Sequence, residues 1–565
     1  MKTLTTETNQ TQAVLRNSAL MATGTVASRI TGVARDICIA AALGSALLAD
    51  TYALGNSLPN IIYILVVGGA LNAIFIPQLI RHMKNDADGG DGYADRLLTL
   101  VAIVLVAVAV LAVALAPFIV DLYASAELQN PQHAQDLALA VAFARFCLPQ
   151  IIFYGLYTMF SQVLNARLHF GAPMFAPIVN NLVMISTALL FMWVVGTTVT
   201  SATISSGQVA LLGIGTTVGV AAQALVLLPV LHRVGYHWRP RFDFRGHGLG
   251  KAGSLAGWTI GLVFINQLGF IVIARLATGA NVIASLTGGT AQGLALYQRA
   301  FLVFMLPHSV ITISLVTALL PRMSKSAAHG RLPEVARDVG GGMRLIGALI
   351  IPCALFLMAF GPLVGTIFFG FGQNAGAPAT YTGLVVSVFA IGMLPFSLFY
   401  ILLRGWYSVE DTRTPFLVTV LYNVVAIPLT IALYAAAPDA YKVCALALGY
   451  GLGYWVTLVV TWILLRRRLG SLQSGTTITT LLRILVAAGV ATALGAGLAF
   501  GGFALIKGVS LPEAYNLATG TVLTSLLVAL VGGVLTLGVY GLLAHVMRIS
   551  ELTEIAGLIS SKIRR

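Results

Sequence analysis

Charge is what this sequence has least of. Of its 565 residues, 9% are Asp, Glu, Lys or Arg, against about 25% in a soluble globular domain, and that excludes a water-soluble protein. Cysteine is scarce too. Cys38, Cys147, Cys353 and Cys444 lie in four different apolar runs, with no CxxC and no companion His. They read as small core residues rather than disulfides or metal ligands. Soluble-enzyme motifs are missing: there is no P-loop, GxSxG, HExxH or Gly-rich dinucleotide fingerprint. An ATP-driven pump is therefore disfavoured. The carboxylates of the outer connections, Asp50, Asp121, Glu127, Asp136, Asp439 and Glu513, are scattered without pairing, which disfavours a membrane glycosyltransferase. The expectation is a protein that is not an enzyme and holds no metal and no cofactor. Residues 1–16 lack an apolar stretch followed by a small-residue cleavage site, so no cleaved signal peptide is expected.

What is present is apolar length. Hydrophobic residues make up 58% of the chain, and runs of about 20 residues, each enough to cross a bilayer core of about 30 Å, recur from end to end. The runs are continuous rather than alternating, and backbone groups in lipid must be satisfied within the segment, so helices are favoured over a barrel. Polar breaks divide the chain into fourteen segments: 17–43, 51–80, 96–123, 137–166, 174–196, 208–231, 252–277, 290–320, 344–370, 380–404, 415–436, 442–465, 480–506 and 517–546. The predicted fold is an all-α polytopic membrane protein of about 14 transmembrane helices. The net charge of +14 then reads as cytoplasmic loops facing anionic lipid, with no nucleic acid as partner.

The cations test this segmentation. Of the 33 Lys and Arg, Lys442 and Lys507 fall on outer connections and Arg29, Arg35, Arg145, Arg275 and Arg299 fall inside the apolar runs. The other 26 lie on one side, which places both termini in the cytoplasm. A missed or invented helix would flip every later loop and destroy this separation. A repeat is also legible. IPQLIRH (76–82) resembles LPRMSKS (320–326), LPQIIFYG (148–155) resembles LPFSLFYI (394–401), and PMFAPIVNN (173–181) matches PFLVTVLYN (415–423), at offsets of 244, 246 and 242. Near-constant offsets argue for duplication of a six-helix unit. Six crossings return the chain to its starting side, so the two lobes relate by a pseudo-two-fold along the membrane normal. The predicted organisation is a cytoplasmic tail (1–16), an N-lobe (17–235), a basic cytoplasmic linker (236–251), a C-lobe (252–468), a C-terminal helix pair (469–547) and a cytoplasmic tail (548–565).

A charge at mid-bilayer costs about 2.5–3.5 kcal/mol on insertion scales, so it faces a wet cavity or a partner. The first segment carries Arg29, Arg35 and Asp36 in SRITGVARD. Two readings stand: Asp36 is neutralised by one of the arginines as a structural pair, or at least two arginines remain available to an anionic ligand. Five cations against one clearly intramembrane carboxylate favour the second. Asp50 either serves one more cation or caps the second helix. Arg299, in LALYQRAFLVFMLPHS, is the strongest single candidate, because a guanidinium fork matches phosphate geometry. For Arg145, four residues before Pro149, and Arg275, snorkelling to headgroups competes with ligand binding. His308 after Pro307 is a packing residue or a proton carrier.

SRITGVARD (28–36), LPN (58–60) followed by GGALNAIFIPQL (68–79), YQRAF (297–301) followed by LLPRMSKS, and GWYSVEDTRTP (405–415) together resemble the MurJ (MviN) family. These are lipid II flippases of the multidrug/oligosaccharidyl-lipid/polysaccharide exporter superfamily, multi-pass proteins of the bacterial plasma membrane. The likeness covers nearly the whole chain. It implies translocation of undecaprenyl-pyrophosphate-linked peptidoglycan precursor from inner to outer leaflet by alternating access. It further implies a cationic cavity for the pyrophosphate and sugars, built here from Arg29, Arg35, Arg299, Asp36, Asp50 and Arg145, and a polyprenyl groove at 469–547. Partners would be lipid II, bilayer lipids and cell-wall synthesis proteins. Drive would come from the membrane potential, Na+ or H+, with Asp36 and His308 as the groups to titrate or ligate. Two features depart from the family pattern: Tyr63 and Gly68 stand where the second helix often has an arginine and an acid, and Gln298 stands where an acid often precedes the arginine at 299. The alternatives are an exporter of another lipid-linked oligosaccharide or a drug, and a non-transporting scaffold that recruits cell-wall enzymes. A drug site would call for acidic and aromatic groups, and a scaffold has no need of mid-membrane arginines.

Overall fold

The computed structural model describes residues 2–68, 79, 81–83, 86, 88–243 and 253–552. Most of the GGALNAIFIPQL motif, the later part of the basic linker and most of the C-terminal tail lie outside the described residues. Among the described residues there is no strand. The helices before the linker are α1 (Lys2–Leu43), α2 (Leu47–Tyr63), α3 (Asp91–Ala114), α4 (Ala116–Tyr123), α5 (Ala134–Cys147), α6 (Gln150–Ala166), α7 (Gly171–Val195), α8 (Ser206–Leu225) and α9 (Leu228–Arg233). After it come α10 (Gly253–Thr287), α11 (Leu294–Pro307), α12 (Ile313–Ala328), α13 (Leu332–Phe369), α14 (Ala377–Ala390), α15 (Met393–Ser408), α16 (Arg413–Ala436), α17 (Lys442–Leu469), α18 (Ser474–Lys507), α19 (Leu511–Gly520) and α20 (Val522–Val546).

All fourteen predicted segments carry helix. Among the described residues, eleven helical stretches are long and apolar enough to cross a bilayer, and the bent pair α14–α15 makes a twelfth. The other two are the charged ones and the short ones: α1 holds Arg29, Arg35 and Asp36, and α2 runs for 17 residues before a π-helical turn, Ile64–Gly68. Helix α1 also begins at Lys2, well before the apolar run at 17–43.

The duplication read from sequence reappears as duplicated irregularities. The π-turn Ile64–Gly68 has a counterpart 244 residues on, His308–Thr312. The break between α5 and α6 at Leu148 and Pro149 recurs 243 residues later between α14 and α15 at Ile391 and Gly392, where the two helices meet at 49°. Proline supplies no N–H and crowds the preceding turn, and glycine weakens the helix, so each half interrupts its helix at the same place by its own chemistry. Leu168 and Glu410, 242 apart, both turn the chain with positive φ, 63° and 60°.

The chain forms two compact units, Met1–Gly279 and Ala280–Arg565. In the first, α1 packs on α7, α2 on α5, α3 on α6 and α7 on α8. Its linker end is strapped down. The Asp88 carboxylate accepts from the Gly92 and Gly90 amides (2.9 and 3.0 Å), capping α3, and those bonds hold its carboxyl below the usual carboxylate range. Buried Asp95 accepts from the Tyr236 hydroxyl (2.9 Å) and the Arg239 amide (3.1 Å), and Arg96 pairs with Asp243 at 2.6 Å. In the second unit, α13 is the central helix, packing on α14, α18 and α20, while α18 packs on α20. Helices α13 and α14 approach backbone to backbone: a side chain at Gly383 would strike the Gly361 carbonyl and Pro362. Without water-driven burial between helices, such small-residue seams let dispersion hold them together.

Candidate functional site

The first-segment cluster is built on α1, where the seven-residue spacing puts Arg29 and Asp36 on one face. Arg35 is engaged by its neighbour: Nε and Nη2 donate to the two Asp36 oxygens at 2.9 and 3.2 Å. This is the structural pair that sequence reasoning weighed against an available arginine. Arg35 also reaches α7, where Asn181 Oδ1 accepts from its Nη1 at 3.1 Å. Asn181 is itself fixed, its Nδ2 donating to the Ser28 carbonyl (3.1 Å) and Thr31 Oγ1 (2.9 Å). Arg29, one and a half turns away, is exposed and has no ion pair or side-chain hydrogen bond among the described residues.

The remaining candidates are placed as follows. Asp50 is buried in the first turn of α2. It is not the cap, because the helix starts at Leu47 with Ala46 at the N-cap; a negative charge in that first turn is favoured by the helix dipole instead. Arg145 is exposed in the last turn of α5, and no ion pair reaches it among the described residues. Arg275 donates to the Leu122 carbonyl at 3.5 Å, near the end of α4. Arg299 is 6% exposed within the second unit and donates to Asn374 Oδ1 at 3.3 Å. His308 opens the second π-turn, buried, with Nδ1 3.0 Å from Ser397 Oγ and its ring 4.4 Å from that of Phe396, a packed position. Tyr63 bonds Thr158 at 2.6 Å and packs on Tyr154, so a phenol network stands at this position of the second helix.

Sequence reasoning missed Asn181 as a site residue and a polar chain beside it. Tyr52 meets Thr216 (2.8 Å), and Gln150 donates to Thr217 (3.2 Å) and Asn56 (3.4 Å). The signal was available in the two consecutive asparagines of an otherwise apolar run. In the second unit an apolar cavity of about 700 Å³ lies among Pro307, Ile311, Pro352, Phe356, Leu537 and Tyr540.

Residues 39–514 match the model of the family described as Lipid II flippase MurJ. The chain is 26% identical to the probable lipid II flippase MurJ of Rhizobium tropici over 448 residues, covering 79% of each chain. It is 28% identical to the lipid II flippase MurJ of Burkholderia cenocepacia over 419 residues, covering 72% of this chain and 77% of that one. Among solved structures, lipid II flippase MurJ in an inward closed conformation superposes with a TM-score of 0.66 at 17% identity, over 91% of this chain and 98% of the other. An inward-facing multidrug resistance MATE family transporter of the MOP superfamily gives 0.61 at 15% identity, over 79% and 96%. The fold is therefore the one shared by these two membrane proteins, a MurJ flippase and a MATE family transporter. By its match over residues 39–514, the chain belongs to the lipid II flippase MurJ family.

Proposed function

We propose that this chain carries lipid II from the inner to the outer leaflet of the bacterial plasma membrane by alternating access, with both termini in the cytoplasm. The observation that supports this best is Arg29, a guanidinium on a membrane helix with no partner among the described residues. A polytopic protein keeps such a group where an anionic ligand repays its desolvation. Arg29 meets the diphosphate first. Arg35 and Arg299, held against Asp36 and Asn374 in this structure, exchange those partners for phosphate oxygens, while Asp50 and Arg145 complete the charge pattern around the head group. The isoprenoid tail lies along the terminal helices, α18–α20 (within 469–547), and the apolar cavity supports that assignment. The lobes 17–235 and 252–468 provide the moving halves, with 236–251 the linker and 1–16 and 548–565 the tails. An inside-negative potential favours outward movement of an anion by about 2.3 kcal/mol per charge per 100 mV, so no nucleotide is needed.

The test is outer-leaflet lipid II in cells whose own flippase is depleted, read with a hydrolase that cannot cross the membrane. Expression of this chain restores outer-leaflet lipid II. Lipid II that stays inside while another polyprenyl-linked glycan is exported would assign the chain to that other substrate instead.

A further inference from the structure

The cavity of about 700 Å³ is lined by helix along most of its length, but Ile549 and Leu552, which also line it, lie beyond the end of α20. The chain reaches them through a tight turn. Helix α20 ends at Val546 with Met547 as its C-cap, Arg548 adopts a left-handed conformation (φ 52°), and the Ile549 and Arg548 amides donate back to the Ala544 and His545 carbonyls at 2.9 and 3.1 Å. This is the double hydrogen-bonded C-terminal turn in which glycine is the usual left-handed residue; an arginine there is strained, and such strain persists only where surroundings over-determine it. Two contacts do so here. Ile549 is 2% exposed against Ala348, Ile484 and Ala544. Glu551 meets Arg344 on α13 at 2.9 Å, and that guanidinium also donates to Gln473 (3.0 Å) and Thr477 (3.3 Å) at the start of α18. The pair is well shielded, with side chains 16% and 13% exposed. Tyr540 donates to the Ala348 carbonyl one turn further in, so the turn and the ion pair close the same end of the cavity.

We propose that Met547–Leu552 is a latch over the Arg344 end of this cavity, and that breaking the Arg344–Glu551 pair admits an apolar chain there. The proposal rests on the reading that the cavity receives the isoprenoid tail, and it gives that reading a gate. A latch held by one shielded ion pair and one strained turn releases as a unit, because losing the pair leaves Arg344 half-buried without its carboxylate and frees the strain at Arg548.

Cys353 lines the cavity and reports its opening. In the full chain with Cys38, Cys147 and Cys444 replaced by Ala, reconstituted in liposomes, N-ethylmaleimide labels Cys353 slowly in the wild-type latch. Glu551→Gln raises that rate about tenfold, as expected for a shielded charge pair shifting a closed–open balance. The exchange Arg344→Glu with Glu551→Arg brings it back toward wild type, and Arg548→Gly, which relieves the turn, lowers it. Equal rates in all four proteins would overturn the latch. Adding undecaprenyl pyrophosphate to the liposomes separates the two ideas. Protection of Cys353 with no effect of Glu551→Gln keeps the tail reading and sinks the latch. A Glu551→Gln effect without protection keeps the latch and removes the tail as its cargo.

Discussion

Arg29 and Arg35 are six residues apart on one helix, yet they differ in what they are free to do. Arg35 has a carboxylate and an amide oxygen on its donors; Arg29 has neither among the described residues. Arg29→Ala is therefore expected to abolish lipid II translocation while leaving membrane levels intact, with Arg29→Lys retaining part of the activity, since an ammonium keeps the charge without the bidentate fork. Asn181 sets the second arginine. Asn181→Asp places another carboxylate beside Arg35 and is expected to weaken binding of lipid II by about tenfold, measured by titration of the purified protein. Thermal stability should change little by comparison, and a loss of folding in place of affinity would assign Asn181 to packing alone. The intramembrane cations stand out in sequence because so little else in these runs is charged. The Arg35–Asp36 pair was legible as one of two readings, since the residues are adjacent. The paired asparagines were visible as a polar break, but the role of Asn181 was not, because it arises only when a residue 146 positions away is folded against it.

At the scale of elements, each of the fourteen segments read from the sequence carries helix among the described residues, but the breaks within them were not read. Apolar run length reports that a segment crosses; it does not report that α5–α6 and α14–α15 are interrupted, because Leu148, Pro149 and Ile391, Gly392 are as apolar as their surroundings. The start of α1 at Lys2 was equally hidden, since its first turns are polar and hydropathy sees only the apolar part. Asp50 illustrates a boundary effect: read as a possible cap, it sits inside the helix because the helix begins three residues earlier, at Leu47. Seams between elements make a sharper prediction. Gly383→Ala drives a methyl into the Gly361 carbonyl and Pro362, where backbone cannot give way. It should destabilise the α13–α14 pair by about 2–3 kcal/mol, seen as a lower melting temperature in detergent, whereas Gly501→Ala, with open space around it, should be silent.

Over the whole molecule, the duplication is the feature that both sequence and structure carry. Sequence showed it as three short matches at offsets of 242–246; structure shows it as π-turns, helix breaks and left-handed residues recurring at 242–244. The basic linker was legible as charge, but its attachment was not. Tyr236 and Asp243 reach back to Asp95 and Arg96 across more than 140 positions, contacts with no local signature. Burial, reinforced by Asp95, pushes the Tyr236 phenol well up, so it remains a donor to that carboxylate throughout the neutral range. Asp95→Ala leaves the Tyr236 hydroxyl and Arg239 amide without their acceptor. It should lower stability by about 2 kcal/mol, measured by denaturant-induced release of the first unit's tryptophan signal. The account as a whole rests on a cationic membrane-embedded site that serves a lipid-linked diphosphate. The most direct measurement is growth of a strain depleted of its own lipid II flippase and carrying this chain, with membrane levels followed by immunoblot. Growth is expected with the wild-type chain and none with Arg29→Ala or Arg299→Ala at equal protein level; full growth with both arginines replaced would contradict it.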